Sequence, residues 1–256
     1  MMKNNTKNQK YWEDRIILKD KLLEKDIKKI EKKLLKLFKA TRKEVLNGLK
    51  IIYYDIESTE YAKYRIDSLL TSINMALDNL YNKNEEMLTK VFIDLYTKFD
   101  NEASIDLGVS FNVINENLIR EAIKTNWSGL SFSERIWEHR RKLALTVKEE
   151  LTKGLTRGES LQDISRIIAD KLNNSYQNAM RLVRTESCFI MNEATINNYK
   201  NNDIKEYQFM AFLDKKTSRQ CREMDNKIIS IEEYKIGVNC PPLHPNCRSA
   251  IAPVVD

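Results

Sequence analysis

The residues best suited to chemistry lie close together near one end of the chain, in Asn239-Cys240-Pro241-Pro242-Leu243-His244-Pro245-Asn246-Cys247-Arg248-Ser249. Three prolines exclude a helix here and stiffen the loop that presents the imidazole, the thiols and the guanidinium. With Cys221 upstream, the set Cys221, Cys240, His244 and Cys247 has the composition of a closed zinc site, three soft thiolates and one neutral imidazole. The spacing is only half conventional, because the first thiol stands alone instead of in a Cys-x2-Cys pair. Free buried cysteines and a histidine fixed in a proline loop read equally from the same residues.

A second cluster is Arg184-Thr185-Glu186 on a helix, with Cys188 and Asn192 following at helical spacing. Arg184, Cys188 and Asn192 share one face, whereas Glu186 points toward the side of Leu182 and Ile190 and needs a partner, for which Arg248 and Lys215 are candidates. A third is Asp214-Lys215-Lys216-Thr217-Ser218, whose Asp, Thr and Ser are turn and N-cap residues. Two chemistries follow. Glu186, Asp214 and His244 could serve a metal-dependent hydrolase or nuclease. Alternatively Arg184, Thr185, Glu186, Asp214, Thr217, Ser218, Pro242, His244, Pro245 and Arg248 form a structural clasp that locks helix to loop, with no catalytic residue. The other histidine, His139, sits beside Arg140 and Arg141 and reads as an exposed helix residue.

The elements that must position these groups are mostly helical. Of 256 residues only 6 are Gly and 4 are Pro, and every proline lies at or beyond position 241, so the long preceding body carries none of the strongest helix breakers. Leu23, Ile27, Ile30, Leu34 and Leu37 mark an amphipathic helix, and Met87 to Phe99 a second. Asp100 to Ser133 reads as loops and short helices. Ser131 with Glu134 opens a helix that runs to Gly158, Ser160 with Asp163 opens another, and a further one spans Tyr176 to Tyr199. Alternation then predicts a strand over Glu206 to Asp214, with short strands at Ile228 to Ser230 and Arg248 to Val254. The expected fold class is α+β, a mostly helical N-terminal and central body with a small C-terminal sheet. It divides into 1–129, a helical arm and body, and 130–256.

Charge is uneven. Residues 1 to 50 hold 16 Lys/Arg against 7 Asp/Glu, a balance of +9 in a chain whose net charge is +6. Lys25, Lys28, Lys29, Lys32, Lys33 and Lys36 fill the polar face of the first helix, which suits DNA or an acidic protein surface and equally a plain solvated face. The first residues lack the apolar core of a secretory signal, no stretch reaches the length of a membrane span, and four cysteines are too few for a disulfide scaffold. A cytoplasmic protein is expected.

The order of motifs, Arg184-Thr185-Glu186, an aromatic strand, Asp214-x2-Thr217-Ser218-x2-Cys221 and the proline loop, resembles the C-terminal domain of Mu F-like phage head morphogenesis proteins, the minor head or minor capsid proteins. The likeness spans roughly residues 130 to 256, and Tyr11-Trp12-x2-Arg15 is similar to the start of longer minor capsid proteins of phages and prophages. The resemblance implies a low-copy, non-enzymatic virion component in the head interior or at the portal vertex. It implies portal, scaffold and capsid proteins as partners, and a role alongside DNA during packaging and ejection. The family's pattern centres on the first cysteine, the histidine and the Cys-Arg, and does not require Cys240.

Overall fold

The computed structural model describes residues 3–54, 62–111 and 114–255. Among them the chain forms α1 (Lys3–Tyr54), α2 (Ala62–Leu107), α3 (Glu116–Ile123), α4 (Phe132–Thr156), α5 (Leu161–Asn201), β1 (Glu206–Met210), α6 (Arg219–Met224), β2 (Ile228–Ser230) and β3 (Ala250–Pro253). The strands make one antiparallel sheet in the order β2-β1-β3, with Tyr207 opposite both Ile229 and Pro253. The fold is α+β.

Local chemistry sets the joins between α4 and α5. Gly158 adopts φ 67°, and Glu159 N–H reaches back to the Gly154 carbonyl while Gly158 N–H reaches Leu155, a Schellman stop. Ser160 then accepts from Asp163 N–H at 3.1 Å, which starts α5. Expectation and structure part company beyond that point, since the separate helices foreseen after Ser160 and from Tyr176 are one. Asn173-Asn174-Ser175 costs only a few tenths of a kcal/mol per residue in helix propensity. That is outweighed by the burial of Leu172, Tyr176, Ala179 and Met180 on one face.

The stretch from Asp100 differs in the same way. Instead of loops, α2 continues to Leu107, because Asn198 of α5 donates to Asp100 Oδ1 at 3.0 Å and to Ser104 Oγ at 2.9 Å, holding polar residues in a buried helix. The first strand is shorter than alternation suggests. It ends at Met210, after which Ala211 N–H is taken by the Asp225 carboxylate instead of a ladder partner.

The chain divides into two compact units, residues 1–29, 89–132 and 181–256, and residues 30–88 with 133–180. α1, α2 and α5 each contribute residues to both units. In the second unit Phe38 meets Tyr81 and Tyr176 edge to face, the Tyr81 hydroxyl lies 2.7 Å from Ser175 Oγ, and Arg140 pairs with Asp78 at 2.8 Å. His139 in this unit is half-buried, not exposed, and burial lowers its pKa. The first unit carries the sheet and every residue of the proline loop.

In the first unit the start of α1 packs more deeply than its charge suggests. Trp12 and Ile16 are buried, Arg15 pairs with Asp106 at 2.5 Å and Glu102 at 2.9 Å, and Lys19, only 2% exposed, also pairs with Asp106. Leu23, Ile27, Ile30 and Leu34 continue the buried stripe along the helix, while Lys25, Lys28, Lys29, Lys32, Lys33 and Lys36 are exposed. The polar face of α1 is therefore a ridge of ammonium groups.

Candidate functional site

The site grows from three pieces of the first unit: the middle of α5, the β1 to α6 turn, and the proline loop that leads into β3. The turn forms because Asp214 and Thr217 bond each other's neighbourhood. Asp214 N–H donates to Thr217 Oγ1 at 2.7 Å, Lys216 N–H donates to Asp214 Oδ1 at 2.7 Å, and Thr217 Oγ1 donates to the Phe212 carbonyl at 2.6 Å. Ser218 caps α6, its Oγ accepting from Cys221 N–H at 3.2 Å. Cys221 thereby faces inward at 2% exposure.

Arg248 belongs to this turn. Its guanidinium donates to Asp214 Oδ2 at 2.5 Å and lies over the Phe212 ring at 4.5 Å, so the loop before β3 is pinned to the loop after β1. The hydrogen bond from Arg248 holds the Asp214 carboxyl down to about 2. On the α1 side, Glu24 accepts from Arg184 at 2.6 Å. Asp20 stands in the fields of Arg248, Glu24, Asp214 and Arg184, and burial raises its pKa to about 6.

Thr185 and Glu186 act from α5. Thr185 Oγ1 donates to the Arg181 carbonyl at 2.7 Å and accepts from Asn246 N–H at 3.1 Å, tying helix to loop. Asn246 sits at φ 60°, a conformation asparagine tolerates better than other side chains with a Cβ. Glu186 is 1% exposed, and its Oε2 accepts from the Trp127 indole at 3.1 Å. The expected partner Arg248 pairs instead with Asp214, since the turn brings that carboxylate to the loop. Trp127 also stacks on Phe189 at 5.5 Å, and a Cβ on Gly237 would stand 3.6 Å from its ring. Sequence reading missed Trp127 altogether. Its signal was a lone tryptophan in a polar stretch between two helices, a residue too apolar to stay in solvent.

The thiols separate into two places. Cys221, Cys247 and His244 converge, with Cys221 Sγ 3.2 Å from His244 Nε2 and 3.6 Å from Cys247 Sγ, and their three donor atoms all lie within 4.8 Å of one another. Cys240 is not brought to them. It packs with Tyr199, Tyr207, Ile231 and Ile251 and behaves as a small apolar group, its pKa driven up by burial. Cys188 lies behind Cys247 in the same apolar cluster, its Sγ donating to the Ser249 carbonyl at 3.5 Å. The Cys247 thiol next to it, and then burial, push Cys221 above its ordinary value, while Cys188 chiefly pushes Cys247 up to about 11. Pro242 is buried and Pro245 exposed at the two ends of the loop.

Glu186, Asp214 and His244 thus turn to different neighbours: Trp127, Arg248 and Cys221. A dyad for acid and base work needs its members within about 3 Å of each other or of a shared substrate atom.

Among known proteins the chain is similar to one from Enterococcus faecalis. It is 29% identical over 137 residues to the protein named NAD(+)--arginine ADP-ribosyltransferase EFV of Enterococcus faecalis, a match that covers 52% of this chain. The match spans only 28% of that relative's length. No solved structure matches. The model of the phage Mu protein F like proteins matches residues 145–252, which hold Arg184-Thr185-Glu186, the Asp214 turn and the whole proline loop. Over residues 145–252 the chain is similar to the phage Mu protein F like family.

Proposed function

We propose that this chain is a minor head protein of a tailed phage or prophage, a structural component that joins the procapsid together with the portal protein. The observation that carries the reading is the family match over residues 145–252. The clasp geometry supports a structural role, because Arg248 with Asp214 and Thr185 with Asn246 fasten the proline loop to its surroundings. Head interior and portal vertex are where such a protein would reside, with host cytoplasm before assembly and scaffold and capsid proteins as further contacts. No helix among the described residues is long and apolar enough to cross a membrane.

Non-specific DNA contact is the second part of this proposal. It rests on Lys25, Lys28, Lys29, Lys32, Lys33 and Lys36, all exposed on one helix. Duplex retained by these lysines should weaken as salt rises, the slope of log K against log salt changing by about 0.9 for every phosphate contact removed. Replacing the six with Gln should flatten the slope. Binding that ignores salt, or a slope that the six substitutions leave unchanged, would refute that part.

The enzyme reading, a metal-dependent hydrolase or nuclease using Glu186, Asp214 and His244, is disfavoured because those groups point to separate partners. The transferase named for the Enterococcus relative belongs to a much longer protein. Co-expression with a portal protein and the other head proteins tests the main proposal. Co-purification with portal, together with no DNA cleavage in divalent metals and no ADP-ribose transfer from NAD+, is the expected outcome. A free chain that never enters procapsids, or one that cleaves DNA and loses that activity in His244→Ala, would overturn it.

A further inference from the structure

We infer that Cys221, His244 and Cys247 bind a zinc ion, and that the fourth position is taken by water, not by Cys240. Tetrahedral zinc with bonds of about 2.3 Å to sulfur and 2.0 to 2.1 Å to nitrogen sets the donor atoms about 3.8 Å apart for two sulfurs and about 3.6 Å apart for sulfur and nitrogen. Cys221 Sγ lies 3.6 Å from Cys247 Sγ and 3.2 Å from His244 Nε2, and all three donors lie within 4.8 Å of one another. For the two pairs that Cys221 makes, zinc would enter by moving the donors apart a few tenths of an ångström, within the freedom of side-chain torsions.

The imidazole is already set for the task. His244 Nδ1 lies 2.9 Å from the Pro245 carbonyl, so Nδ1 carries the proton and donates it there. Nε2 is then the lone-pair nitrogen, and it is the atom that faces Cys221 Sγ. An imidazole that donates its other N–H to a carbonyl is the usual arrangement of a metal-bound histidine. Pro245 thus sets the tautomer.

Charge balance agrees with burial. Two thiols release two protons as they take up Zn²⁺, and the resulting Zn(S⁻)₂(His)(OH₂) centre is neutral, which suits two cysteines that are each 2% exposed. His244 is half-buried and gives water an approach. Cys188 is held back in the apolar cluster by the Ser249 carbonyl and by Asn192, whose side-chain amide lies 3.5 Å from its sulfur. It belongs to the surroundings of the site, not to its donors. Cys240 is occupied in the other cluster.

The test is anaerobic titration of the reduced, full chain with Co²⁺ at pH 7.5, read by sulfur-to-cobalt absorption, followed by displacement with Zn²⁺. One metal per chain is expected, with a band that zinc abolishes and with two thiols protected from a thiol reagent. Cys221→Ser and Cys247→Ser should each lose more than the roughly 10 to 100-fold typical of an outer-shell change. Cys188→Ser and Cys240→Ser should stay within about 10-fold of the parent chain. Since a Cys variant can fail to fold, the wild-type titration stands alone as a test. The absence of a saturable band, a band of equal intensity in Cys221→Ser, or its loss in a folded Cys240→Ser would each overturn the inference.

Discussion

Asp106 and Lys19 offer a test of how α1 is held, because the two members of this pair should behave very differently when removed. Lys19 is 2% exposed and pairs with Asp106, which also takes Arg15 at 2.5 Å. Burial lowers the Lys19 pKa in spite of Asp106, so the ammonium costs more in lost hydration than its partner returns. Lys19→Met removes that buried charge and leaves Asp106 with Arg15, and a change within about 1 kcal/mol is expected. Asp106→Asn strands the ammonium, for which breaking a buried pair costs about 3 to 5 kcal/mol. The loss has a ceiling, since Lys19 can shed its proton, and from an ordinary value near 10.4 that costs at most about 5 kcal/mol at pH 7. The ceiling falls by about 1.4 kcal/mol for each pH unit toward 10, so the penalty of Asp106→Asn should shrink as pH rises. Urea unfolding midpoints of wild type, both single variants and the double variant, at pH 7 and pH 9.5, give the comparison. The double variant should recover most of the Asp106→Asn loss. Equal losses for the two single variants, or an Asp106→Asn penalty independent of pH, would refute the argument.

Other outcomes follow from the same physics. Asp20, with its pKa raised to about 6, destabilises the folded chain once pH rises above its ordinary value and does so fully above pH 6. Asp20→Asn should therefore leave stability unchanged at or below about pH 4 and add about 1 kcal/mol at pH 7.5, after discounting a full conversion of about 3 for solvent screening. A gain at pH 4 as large as at pH 7.5 would contradict it. Trp127→Phe keeps the ring on Phe189 but removes the indole donor to the buried Glu186, and should cost about 1 to 3 kcal/mol in thermal or urea unfolding. No loss would mean that this hydrogen bond contributes nothing. Phe92→Ala, at a fully buried ring edge-on to Phe132, should cost about 3 to 5 kcal/mol, measured the same way, with a cost under about 1 ruling out a packed core at that point.

Much of the architecture was legible from local rules. The absence of proline before residue 241 and the stripe Leu23, Ile27, Ile30, Leu34 announce long helices, and Gly158 with Ser160 marks a stop and a start, because caps and periodicity are properties of neighbouring residues. The cap at Ser218 and the turn at Asp214 are local in the same sense. The ordered motifs between Arg184 and Ser249 also pointed to the phage Mu protein F like family, which residues 145–252 match.

What only the tertiary structure decided were the partnerships across long sequence separations. Spacing alone made Cys240 as good a metal donor as Cys221, and the packing of Tyr199, Tyr207 and Ile251 around Cys240 separates them. The same holds for Glu186, given to Trp127 instead of Arg248, and for Lys19, a lysine on a lysine-rich helix that is buried because Asp106 waits 87 residues away. Composition reports how many charges a helix carries. Only the packed neighbours decide which of them lose their water, and that loss is what turns a surface charge into a structural one.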